Sequence, residues 1–102
     1  MVKEFVCAGG QGASALGMKK VSVSTQEREI LGKPHQIGTV QIGRVGHMIF
    51  SITWDATESS ISVNRTDLDG FVAGASASGA ELVMLRSQRP NEEEAQMGCW
   101  PA

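Results

Sequence analysis

The sequence predicts a mainly β fold, with α+β as the variant. The expected form is an antiparallel meander of about six or seven short strands, curled into a small barrel or sheet, with one or two short helices. Three observations predict it. Apolar residues recur with a period of two through the middle of the chain, turn-forming residues punctuate that alternation, and only two segments carry helix-end signals. The 102 residues read as a single domain, 1–102, because neither a compositional break nor an internal repeat divides them.

Val2 to Cys7 reads as a first strand. Residues 8–17, with Gly9, Gly10, Gly12 and Gly17, form a Gly-rich loop. Lys20-Val21-Ser22-Val23-Ser24 alternates and is a second strand. Ser24 with Glu27 fits a capping box, the run to Leu31 suits a helix, Gly32 its C-terminal cap, and Pro34 stops it. A short helix is therefore expected there, followed by a loop with His35 in solvent. Val40 and Ile42 alternate with Thr39, Gln41 and Gly43, giving a strand over 37–43 that turns through Gly43-Arg44-Val45-Gly46. In the next strand Met48, Phe50, Ile52 and Trp54 share one face. His47, Ser51, Thr53 and Asp55 share the other, with Ile49 the apolar exception. Asp55-Ala56-Thr57-Glu58 is a turn, Ile61 and Val63 begin a third alternating strand, and Asp67-Leu68-Asp69-Gly70 closes it. Phe71 to Ala80 is compatible with strand, helix or loop. If Glu81 to Arg86 is a strand, Val83 and Leu85 on one face and Leu82 and Met84 on the other make it buried on both. Asn91 before Glu92-Glu93-Glu94 predicts a short helix ending near Gly98.

Nine Lys+Arg against eleven Asp+Glu, a net charge of −2 and a pI near 5.6 argue against a nucleic-acid partner. Lys19-Lys20 is the one adjacent basic pair. No apolar run approaches the roughly 18 residues of a membrane span, so no membrane partner is expected. Residues 1–30 also lack the pattern of a secretory signal. Two compartments stay open: cytoplasmic if Met1 is the native start, periplasmic or secreted if Cys7 and Cys99 form a disulfide. Both cysteines free and buried is the alternative to that bond.

No cofactor or metal is expected. Cys7, Cys99, His35 and His47 are isolated, whereas structural zinc ligands come in close pairs. Asp67-Leu68-Asp69-Gly70 lacks the twelfth-position glutamate of a calcium loop, whether counted from Asn64 or from Asp67. Asn64-Arg65-Thr66 matches a glycosylation sequon.

Two short segments resemble known families. Ala8-Gly9-Gly10-Gln11-Gly12 is similar to the GGQ loop of peptide-release factors, without the basic flanks that ribosome binding requires. Ser76-Ala77-Ser78-Gly79-Ala80 resembles the Ser-Gly loop of the membrane-bound C-type lysozyme inhibitors, small bacterial β-barrels with cysteines towards both ends. That resemblance spans five residues and the two cysteines, and it implies partner contact at Ser78 and Gly79. The arginine-tyrosine pair that follows the family motif is Glu81-Leu82 here.

No nucleophile, base and orienting group fall at diagnostic spacing. The expected function is thus a small non-enzymatic binding or inhibitory module, acting on a protein or small ligand through its Gly-rich and Ser/Ala-rich loops. Ser78, Gly79, Trp54 and Trp100 are the candidate contact residues. One alternative is a ligand-binding barrel or enzyme with a pocket walled by Met48, Phe50, Trp54 and Met84. Another is a homo-oligomer, simplest as a homodimer, that buries an apolar strand face including Val83 and Leu85.

Overall fold

In the computed structural model, residues 1–9, 16–79 and 81–102 are described, and among them there are nine strands and no α-helix. The strands are β1 (Val2–Gly9), β2 (Met18–Ser24), β3 (Gln26–Ile30), β4 (Lys33–Val45), β5 (Met48–Asp55), β6 (Ser60–Asp67), β7 (Val72–Ser78), β8 (Val83–Ser87) and β9 (Ala95–Pro101). They form two antiparallel sheets, one ordered β2-β1-β9-β8 and the other β3-β4-β5-β6-β7. The sheets are not joined into a closed barrel, and the nine strands exceed the six or seven expected.

Alternation decides what lies between the sheets. Phe50, Ile52 and Trp54 of β5 and Ile61 and Val63 of β6 face inward. They meet Phe5 and Cys7 of β1, Val23 of β2, Val83 and Leu85 of β8, and Ala95, Met97 and Cys99 of β9. Burying each large side chain contributes about 1.5–3 kcal/mol. Cys7 and Cys99 lie directly opposite one another on β1 and β9, with Cα atoms 4.1 Å apart, and are joined in a disulfide inside this core.

The predicted meander is present, but it runs over five strands, β3 to β7. The turn between β4 and β5 is Gly46-His47 rather than 43–46, because β4 continues past a bulge between Gln41 and Gly43. The ambiguous stretch 71–80 supplies β7, whose Ala73, Ala75 and Ala77 pack against the core.

Both expected helices are strands or turns instead. Residues 26–30 form β3, pairing with β4 from Gln26↔Ile37 to Ile30↔Lys33. Leu31 and Gly32 make the two-residue turn, with φ of 52° and 80°. A left-handed glycine serves a helix C-terminal cap and a hairpin turn equally well, so the local signal is ambiguous until β4 supplies a partner. Pro34 is tolerated because β4 there pairs only with β3, and its missing N–H is no loss on an open side. At the other segment Asn91 takes φ 64° and turns the chain into β9 instead of capping a helix.

β8 is buried on one face only. Val83, Leu85 and Ser87 point inward, and Leu82, Met84 and Arg86 point outward. The oligomer surface expected to include Val83 and Leu85 therefore cannot use them, since both sit in the core.

Candidate functional site

The first β4 residue paired to β5 is Ile37, opposite Asp55. Residues 33–35 pair only with β3, so β3 and the start of β4 project from the sandwich as a two-stranded arm. All five β3 residues are exposed. At the tip, Leu31 is 99% exposed while held in a left-handed conformation. That conformation costs an ordinary L-residue roughly 1–2 kcal/mol, and a branched apolar side chain recovers nothing in water. Beside it Glu27, Glu29, Gly32 and Pro34 line an open depression of about 400 Å³.

A set of hydrogen bonds fixes the arm at its base. His35, expected in solvent, is buried by the strand pairing, and its Nδ1 lies 2.7 Å from Asp55 Oδ2. Asp55 Oδ1 in turn accepts the backbone N–H groups of Thr57 and Glu58, shaping the β5–β6 turn. The Gln36 N–H donates to Thr57 Oγ1. Burial alone would raise the Asp55 carboxyl, but the hydrogen bond to His35 and the two backbone N–H groups outweigh it and hold it below its ordinary value. Gly38 lets the chain cross from β2 to β3, since a Cβ there would collide with the Ser24 carbonyl oxygen.

A second polar site closes the opposite end of the sandwich. The inward face of β6 continues from Ile61 and Val63 into Arg65 and Asp67, which are 1% and 2% exposed. Arg65 Nε and Nη2 donate to the two Asp67 oxygens at 2.9 Å each. Arg89 reaches Asp67 at 3.2 Å and Asp69 at 2.6 Å. The Phe71 ring lies within 5.4 and 5.5 Å of the Arg65 and Arg89 guanidiniums. The hydrogen bonds from Arg65 hold the Asp67 carboxyl below its ordinary value against the opposing effect of burial. Asp69 is likewise lowered, and Arg89 raised, by their mutual hydrogen bond. A shallow cleft of about 480 Å³, lined by His47, Leu68, Asp69, Arg89 and Glu92, opens beside this cluster. Its cations already face carboxylates, so the cluster acts as a polar plug for the end of the core.

The residues singled out from the sequence are dispersed. Trp54 is buried, edge-on to Phe5 with ring centroids 6.0 Å apart, and Lys3 Nζ lies 5.6 Å from its ring. Trp100 is half-buried opposite Val6, on the outward side of β9. Ser78 is exposed at the end of β7, and Gly79 takes φ 79° in the turn after it. Ser76 to Ser78 are thus edge-strand residues paired to β6 rather than a loop. Met48, Phe50 and Trp54 face inward and Met84 outward, so these four do not wall one pocket. Gly10 to Ala15, with Gln11, lie outside the described residues, as does Ala80. Cys7 and Cys99 bind each other, and His35 and His47 sit at opposite ends of β5, so the four do not gather.

Sequence reasoning missed the arm and both polar clusters. The phase of β6 carried a readable signal, because Arg65 and Asp67 continue the inward positions of Ile61 and Val63. No local signal joined His35 to Asp55, which lie twenty residues apart and meet only through the β4–β5 register. No family model, curated protein or solved structure matches this chain, and the site is therefore argued from its geometry.

Proposed function

We propose that this chain is a protein-binding module whose contact element is the β3–β4 arm. Leu31 carries the reading. A leucine that is 99% exposed, in a conformation that favours glycine or asparagine, is a poor choice for stability. It is a sensible choice for insertion into an apolar pocket, and the His35–Asp55 anchor presents it on a defined hairpin. The arm takes over the contact role expected of the Gly-rich and Ser/Ala-rich segments, the second of which is committed to β7. We also place the module in an oxidising compartment, periplasmic or extracellular, on the support of the buried Cys7–Cys99 pair. Intact mass with and without reduction tests that placement, and two free thiols in protein isolated natively would overturn it.

The arm is tested with Leu31→Asn. Asparagine suits the turn, so stability should rise by about 1 kcal/mol in urea titrations. Peptides selected by display against the parent chain should shift the amide resonances of residues 26–36. The variant should bind them about tenfold to a hundredfold more weakly, the worth of one buried leucine. Amide shifts confined to β7 or to the outer face of the four-stranded sheet would overturn the reading.

A further inference from the structure

We propose that the free edge of β3 adds an extended strand of a foreign partner carrying Lys or Arg at alternate positions. The inference rests on the arm as contact element and names how it binds. β3 is the terminal strand of the five-stranded sheet, so among the described residues one row of its backbone N–H and C=O groups has no strand partner. Glu27 and Glu29 are two residues apart and point to the same face, where they border the depression with Gly32 and Pro34. The ion pairs among the described residues involve neither carboxylate. Arg28 and Ile30 point to the other face.

A strand laid against this edge places its own alternate side chains opposite Glu27 and Glu29. Basic residues there complement both carboxylates, with neutral residues between them facing Arg28. A second copy of the chain is the obvious competitor, and the charges oppose it. Two-fold pairing centred on Arg28 sets Arg28 against Arg28, and Glu27 against Glu29 in both directions. Centring on Glu27 or Glu29 sets that carboxylate against itself. Each of these registers brings like charges together, so the edge discourages self-association while remaining open to a basic strand.

The probe is an acetylated and amidated seven-residue peptide alternating threonine and lysine. Two controls are a peptide of the same composition with contiguous lysines and one N-methylated at alternate residues. Titration into the isotope-labelled full chain, read by amide shifts, is expected to perturb residues 26–30. Both controls should bind about tenfold more weakly. Glu27→Lys/Glu29→Lys should lose the lysine peptide and gain its threonine–glutamate counterpart. Equal binding of the controls, or failure of the charge swap, overturns strand addition. So does silence of the alternating peptide. If display-selected peptides still shift the arm in that case, the arm reading stands; if they do not, it falls as well.

Discussion

Cys7→Ala/Cys99→Ala opens a loop spanning a sequence separation of 92, nearly the whole chain. In the chain-entropy account, closing a loop of that length removes about 4.6 kcal/mol of denatured-state freedom near 25 °C. At about 2.1 cal/mol/K per residue, the unfolding entropy of 102 residues is roughly 0.21 kcal/mol/K. The double variant should therefore melt about 20 °C below the oxidised parent. Either single substitution opens the same loop, so Cys7→Ala and Cys99→Ala should each cost nearly as much as the pair, and the two effects should be far from additive. The assay is thermal unfolding followed by tryptophan fluorescence, because Trp54 reports on the core from beside Phe5. Parent protein unfolded in strong reductant should melt close to the double variant. A double variant within about 5 °C of the parent would refute the reasoning, because the cross-link would then restrict the denatured chain far less than its span requires.

Gly38→Ala should destabilise by about 1–3 kcal/mol in denaturant titrations, since its Cβ meets the backbone carbonyl of Ser24, which cannot rotate away. Asp67→Ala strands Arg65 inside the sandwich and should cost about 3–5 kcal/mol, whereas Arg65→Met/Asp67→Leu, which removes both charges, should cost much less. Acid should weaken the fold through Asp55 and Asp67. Both carboxyls sit below their ordinary value of 3.8 when folded, so their contribution is complete above that value and is lost as pH falls through the lower folded value. Urea midpoints measured from about pH 6 to about pH 2 should show this decline, and Asp67→Asn should flatten it.

The central strands were legible because period-two alternation is a local property, and β5 and β6 obey it almost without exception. The arm was not legible. Ser24, Glu27, Gly32 and Pro34 spell a capped helix as readily as a hairpin, and these local preferences amount to about 1 kcal/mol. Pairing with residues 33–37 of β4 decides between them. Burial of β8 on two faces fails for a similar reason, because Leu82 and Met84 are apolar yet point outward and stay exposed.

The sequence by itself determined a β protein of one domain, the phase of its central strands and the side chains that form most of its core, since each follows from neighbours two residues apart. Only the tertiary structure decided that Cys7 meets Cys99, that His35 meets Asp55, and that Arg65 and Asp67 close one end of the sandwich. The same holds for the projection of Leu31, Glu27 and Glu29 beyond the other end. The physical reason is register: strand pairing brings distant residues together, and no local pattern encodes which strand ends first and leaves its neighbour projecting alone.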